Sequence, residues 1–332
     1  MIHDHMAHFF MIKSGSKFRD QLAHFFIDIH KEVLYMSVTI RPYSSEYESG
    51  VITLLKRNYI GLSKKTDAEV SNWGKPIFSQ SWEECVEESE FPYKYGAIIL
   101  DDNKVVGFLG CISAIRYAPE GRYISTSGTT WAIDAGYRIY MFKGMKLAFK
   151  DADFVIDLTP IPSVETALRD VLKLNVISSI MYRYYPIPRF LGKTMISMIN
   201  SGVDIDDSLV RKEYNDHVRY SVKCLSVHSK GARSYVFFSV RKRYIKGIVP
   251  IYIARILKTT NKDHAWDTWK DVIWFIQKKY ALIVECDEHF VKCVPPDVPY
   301  IERIKTKRYI KNHCLYDVDI DYLYTEYAVL PV

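Results

Sequence analysis

No two cysteines stand at CxxC spacing in this 332-residue chain, and no histidines follow at zinc-finger spacing. The six cysteines, Cys85, Cys111, Cys224, Cys286, Cys293 and Cys314, are dispersed. A disulfide framework and a structural zinc are therefore not expected, and reduced thiols in a cytoplasm are. Long apolar runs are absent too. None approaches the roughly 18 residues that cross a bilayer, and no apolar stretch leads to a small-residue cleavage site, so neither a membrane span nor a signal peptide is expected. Charge of one sign is not dominant, with 45 Lys and Arg against 39 Asp and Glu for a net +6. The excess sits in short runs such as Arg241-Lys242-Arg243 and Arg303 to Lys311. These lack the dense, aromatic-interleaved stripe of a nucleic-acid binder, so solvated basic faces are expected and nucleic acid is not an expected partner.

What is present is apolar mass. At 48% hydrophobic the chain can bury one large core or two ordinary ones, and two domains are expected. Its 25 tyrosines suit platforms for flat or sugar-like ligands, or equally reflect compositional drift. Residues 1–35 read as an extension. Five of the ten histidines fall there (His3, His5, His8, His24, His30), and Phe18 to Ile29 has the periodicity of one amphipathic helix. The histidine spacing matches no metal-ligand pattern, so no metal is expected.

A first domain is expected over 36–200. Val38 to Pro42 reads as a strand, Tyr47 to Ile60 as a helix on a sheet, and Trp82 to Glu90 as a second, acidic helix. Tyr95 to Leu100 and Lys104 to Ala114 flank Asp101-Asp102-Asn103 as a hairpin, and Arg122 to Asp134 follows the Pro119-Glu120-Gly121 turn as a third antiparallel strand. A helix from about Ile139 to Phe149 then leads to Phe154 to Leu158, short and apolar like a buried parallel strand. Pro162 stops it and Ser163 caps a helix with Val164, Ala167, Leu168, Val171 and Leu172 on one face. The architecture implied is α/β, with helices covering a mixed sheet.

A second domain is expected over 201–332. It repeats the order at low resolution: strands Arg219 to Val227, Ser234 to Val240 and Ile248 to Leu257, a helix from Lys262 to Lys279, and a strand from Ala281 to Glu285. A structural duplication is expected, with the second copy as scaffold or as one wall of a cleft, because its connector Lys258 to Ala265 has no glycine.

Few side chains announce chemistry. Asp134 reads as a turn aspartate before Ala135-Gly136, or as a base acting through water. Arg138 reads as a phosphate ligand or a surface ion pair, and Trp131 as core or platform. Thr159-Pro160 breaks strand pairing, with the Thr159 hydroxyl as a lesser catalytic candidate. Asn215-Asp216-His217 reads as a capped turn, since neighbours on an extended chain face opposite ways. Asp317, Asp319, Asp321 and Glu326 alternate with apolar residues and lack the glycine of a calcium loop.

The run TTWAIDAGYRIYMFKGMKLAF, followed by DFVIDLTPIPSVETALRDVLKLNV, resembles the GNAT superfamily of acyl-CoA-dependent N-acyltransferases, and most of all its tandem members. The resemblance spans Ser37 to about Ile187. It implies a V-shaped opening between the strand ending at Asp134 and the strand ending at Thr159. The pantetheine arm of acetyl-CoA or another acyl-CoA would pair with Trp131, Ala132 and Ile133. The pyrophosphate would rest on the amides of Arg138, Ile139, Tyr140, Met141, Phe142 and Lys143, where a helix dipole favours an anion. The implied reaction is acyl transfer to an amine of a small molecule or amino sugar, with a catalytically inactive GNAT-fold binding or scaffolding protein as the alternative. Two departures motivate that alternative. Met141 and Lys143 fill positions the family gives to small residues, and Val171 stands where the family has a tyrosine acid.

Overall fold

The chain enters its sheet at β1 (Thr39–Pro42) and leaves it at β12 (Ile301–Asn312). A computed structural model describes residues 38–158, 162–186, 194–245, 249–291, 301–313 and 320–330. The expected leader helix, Thr159, Pro160, Cys293, Cys314, Asp317 and Asp319 lie outside those residues. After β1 come α1 (Glu48–Asn58), the short α2 (Ile60–Ser63) and α3 (Asp67–Phe78). Helix α3 is missing from the sequence reading, although Thr66 and Glu69 form a reciprocal capping box at its start. The acidic helix expected over Trp82 to Glu90 does not form. Its groups are used elsewhere: Trp82 Nε1–H donates to Ser113 O at 2.7 Å, and Glu90 takes both donors of Arg122.

Strands β2 (Gly96–Asp101), β3 (Lys104–Ala118) and β4 (Gly121–Ile133) form the expected meander. Asp102 and Asn103 turn the hairpin with positive φ, which short polar side chains tolerate. A 3₁₀ turn (Ala135–Tyr140) then enters α4 (Met141–Ala148), and β5 (Phe154–Asp157) lies parallel to β4 as expected. Next come α5 (Pro162–Thr166), which opens into a π turn over Ala167–Val171, and β6 (Asn175–Tyr184). Because α5 begins at Pro162, Ser163 lies inside it rather than capping it.

The second half starts at β7 (Met195–Met198), before Ser201, because β7 pairs with β8 (Lys223–Ser229). Between them lies α6 (Ser208–Val218), capped by the Asp207 carboxylate. Asn215-Asp216-His217 is therefore the last turn of a helix, with Asp216 and His217 fully buried, and not the capped turn expected before a strand. Strands β9 (Ala232–Ile245) and β10 (Val249–Thr259) precede α7 (Lys262–Asp267) and α8 (Trp269–Lys279). The single helix expected here is broken at Thr268, whose Oγ1 donates to His264 O at 2.9 Å. Then come β11 (Ile283–Asp287), β12 and α9 (Glu326–Val329).

The twelve strands of the described residues join one sheet in the order β1-β2-β3-β4-β5-β12-β6-β11-β10-β9-β8-β7. The order is a palindrome about β6 and β12. Each half lends its last strand to the other: β12 pairs antiparallel with β5, β6 pairs antiparallel with β11, and the two pair with each other over ten positions. The duplication is real, but neither half is complete alone.

The C-terminal segment 320–330 is buried between the halves. Asp321 accepts from Arg116 of β3 and lies 3.3 Å from Lys258 of β10, which also pairs with Glu213 of α6. Ser127 of β4 donates to Glu326. His217 Nδ1 lies 2.8 Å from Glu213 O, and Tyr324 N–H donates to His217 Nε2 at 3.0 Å. That pair of contacts fixes a neutral ring with the proton on Nδ1.

Removing Asp321 leaves Arg116 buried without its carboxylate. Asp321→Asn is expected to lose roughly 3–5 kcal/mol in urea unfolding. His217 makes the fold sensitive to pH: burial pushes its imidazole down to about 4 against the pull of the Glu213 carbonyl and Asp216. The folded value lies below the ordinary one, so the stabilisation is complete above about pH 6.5 and is lost as pH falls through about 4. The melting temperature should drop across that window, and His217→Gln should flatten the drop; an unaltered slope would refute this role.

Candidate functional site

Strand β4 pairs with β5 over only three residues, Ser125 to Ser127. Beyond that point an extra residue is inserted. Leu109 faces Trp131 and Gly110 faces Thr129, leaving Thr130 unpaired with φ near 40°. Such a bulge bends its strand, and a β-branched residue in left-handed backbone is strained. Past the bulge, Asp134 N–H donates to Val106 O. Antiparallel pairs alternate, so Ala132 also faces β3 while Trp131 and Ile133 turn their amides to the open side. The sequence-predicted strand backbone thus lines a wedge between β4 and β5.

Gly128 sits at the apex. A Cβ there would lie 2.9 Å from the Trp131 ring, 3.1 Å from Phe149 and 3.2 Å from the Asp157 carboxylate. The Trp131 indole folds back beside Phe149, with ring centroids 6.3 Å apart. Its Nε1–H is buried with no acceptor, which is costly for a donor away from water. The Trp131 carbonyl is claimed by Tyr59, whose hydroxyl donates at 2.7 Å. Burial pushes that phenol up to about 12, and its bond to Trp131 only partly offsets this, so it remains a donor at neutral pH.

Asp134 closes the strand in a fork. Arg57 Nε donates to its Oδ1 at 2.9 Å, Arg57 Nη2 to its Oδ2, and Asn58 Nδ2 to Oδ1 at 3.2 Å. The end of α1 therefore holds β4 through Arg57, Asn58 and Tyr59 in succession, none of which the sequence singled out. Spacing offered no signal, because 72 to 77 residues separate the partners.

The expected anion cradle differs in form from what the chain builds. Arg138, Ile139 and Tyr140 lie in the 3₁₀ turn, whose amides donate three residues back, and Met141 N–H donates to Arg138 O. In that geometry the turn's amides point back into it rather than outward. Tyr137 N–H donates to Asp134 O, and Ala135 and Gly136 open the turn, both exposed. Met141 and Phe142 pack against the core, whereas Arg138 and Lys143 are exposed. Val171 ends the π turn and brings no hydroxyl.

The matching wedge in the second half is occupied by the chain itself. Strand β10 carries the same device, with Leu257 as the extra residue and pairing to β11 over Ile253 to Arg255. There the Leu257 carbonyl accepts from Tyr322 N–H at 2.8 Å, and Tyr322 OH donates to Asp287 at the end of β11. Burial raises the Asp287 carboxyl, but hydrogen bonds from His289, Tyr322 and Ser179 and the charge of Arg308 outweigh that and hold it at about 2. Among the described residues no group of three His, Cys, Asp or Glu could hold a metal, and no helix is long and apolar enough to cross a membrane.

No family model matches the sequence, and no curated protein matches it. Solved structures do. A GCN5-related N-acetyltransferase from Anabaena variabilis superposes with a TM-score of 0.50 at 10% identity, over 84% of this chain and 73% of its own. A putative acetyltransferase from Pyrococcus horikoshii gives 0.48 at 13%, over 90% and 98%. Saccharomyces cerevisiae N-myristoyltransferase with bound myristoyl-CoA gives 0.43 at 10%, over 90% and 86%. With a mixed sheet, a bulged fourth strand and a parting parallel neighbour in each half, the fold of this chain is that of the GCN5-related N-acetyltransferases, laid down twice.

Proposed function

We propose that the first half binds an acyl-CoA, such as acetyl-CoA, and passes the acyl group to an amine of a small molecule or amino sugar, in the cytoplasm. The observation that carries this reading is the open edge of β4: two outward-facing backbone units, Trp131 and Ile133, beside a buried indole N–H without an acceptor. A pantetheine arm offers amide groups that would pair with the outward Trp131 N–H and the Ile133 backbone and accept from the indole, while the Trp131 carbonyl stays with Tyr59. The exposed start of the 3₁₀ turn at Ala135 and Gly136, with Arg138 and Lys143 beyond it, is the place for the pyrophosphate.

In the reaction the amine nitrogen attacks the thioester carbonyl, the N–C bond forms and the C–S bond breaks. The amine nitrogen gives up a proton to solvent as the amide forms, and the CoA thiolate takes one from solvent, since Val171 has none to give. Strand amides polarise the carbonyl, and proximity supplies much of the acceleration. Asp134, whose two oxygens already accept from Arg57 and Asn58, acts in this scheme by holding the end of β4.

A second reading, a GNAT-fold protein that binds or scaffolds without catalysis, is favoured by the 3₁₀ turn, whose amides point back into it. Calorimetric titration with acetyl-CoA separates the two. The enzyme reading expects saturable binding, weakened about five- to tenfold by Trp131→Phe through loss of one hydrogen bond. Gly128→Val, which drives a side chain into the Trp131 ring, should abolish it. A folded protein that gives no heat at millimolar acetyl-CoA or longer acyl-CoA would leave only the second reading.

A further inference from the structure

The two halves end their central hairpins differently. In the first half the free end of the β3–β4 ribbon is sheathed in acid. Arg122 is held by both oxygens of Glu90, Arg116 by Asp321, and Tyr117 OH donates to Glu84 at 2.6 Å. The equivalent ribbon of the second half is bare. Strand β8 pairs with β9 no further than Phe238, and β11 pairs with β10 only over Ile253 to Arg255. Beyond Ser239 and Arg241, which are buried and donate to the Tyr327 carbonyl, residues 242–245 and 249–252 run on as a two-stranded arm.

Register places the arm's side chains. Tyr252 lies opposite Lys242 and Pro250 opposite Tyr244 on one face, and Arg243 lies opposite Ile251 on the other. Tyr244 is 51% exposed, Val249 55% and Tyr252 48%; Leu282, whose N–H donates to Tyr252 O, is 50% exposed. Four of the eleven large apolar residues exposed among the described residues lie on this end, Tyr244, Tyr252 and Leu282 on one face of the arm and Val249 on the other, which singles this end out from the rest of the surface. Lys278 and Lys279 are exposed at the end of α8, just before Leu282. Among the described residues no carboxylate pairs with Lys242, Arg243, Lys278 or Lys279, whereas every cation on the first ribbon's end has one.

We infer that this arm docks the protein on an anionic lipid bilayer. Cations that have no carboxylate partner meet anionic headgroups, tyrosines sit at the headgroup level with an apolar ring and a polar tip, and Val249 and Leu282 reach the acyl boundary. The aliphatic share of the patch favours a bilayer over nucleic acid, which would use aromatic stacking and cations without Val or Leu. Nothing in this inference depends on acyl-CoA binding in the first half.

Co-sedimentation of the full chain with vesicles tests it. Binding is expected to phosphatidylcholine vesicles containing phosphatidylserine, to be weak on pure phosphatidylcholine, and to fall with added salt. Lys242→Ser with Arg243→Ser should weaken it about tenfold or more, and Tyr244→Ser with Tyr252→Ser should weaken it without changing the salt dependence. Circular dichroism confirms that each variant is folded. No binding to anionic vesicles, equal binding by the variants, or binding of single- or double-stranded DNA through the same residues in place of vesicles would overturn the assignment.

Discussion

Everything in this molecule hangs on the exchange of one strand between its halves. A parallel strand needs a neighbour on each side, and β5 and β11 each lack one within their own half. β12 supplies it to the first and β6 to the second. The exchange merges two sheets into one and leaves a space between the halves, which the C-terminal segment fills with Asp321, Tyr322, Tyr324 and Glu326. The Asp321 carboxylate buried there pairs with one cation from each half, Arg116 from the first and Lys258 from the second. Such a cluster is weak as a source of net stability but strongly destabilising when broken, so it fixes how the halves meet.

The duplication also shows how one device takes two uses. In both halves an extra residue bends the fourth strand away from its parallel neighbour. In the second, the chain's own tail offers Tyr322 N–H to the freed Leu257 carbonyl, and the wedge is full. In the first, a helix offers the Tyr59 hydroxyl to the Trp131 carbonyl, while the Trp131 indole N–H and the outward amides remain. The difference between scaffold and candidate site is a matter of which polar groups have been answered from within the chain.

Much of the frame was legible in the string. The hairpin at Asp101-Asp102-Asn103, the short apolar Phe154 to Asp157, and the alternation of strands and helices depend on local turn chemistry and on periodicity, which neighbouring residues carry. Helix α3 was legible and passed over, since Thr66 and Glu69 spell its cap. The helix expected at Trp82 to Glu90 failed for the opposite reason: its acidic residues answer Arg122 and Tyr117 from distant strands, and no local rule encodes those demands. His217 looked like part of a turn because its partner, the Tyr324 amide, lies 107 residues away.

What the sequence determined by itself was the kind of elements, their order, and the fact that the order occurs twice, because these follow from hydrogen bonds and apolar spacing within a dozen residues. Tertiary structure alone decided that the last strands cross over, that the tail seals one wedge, and that Arg57, Asn58 and Tyr59 brace the other. Those outcomes rest on pairings between groups far apart in the chain. A residue's spacing says nothing about such a partner until burial makes an unanswered charge or amide too costly to keep.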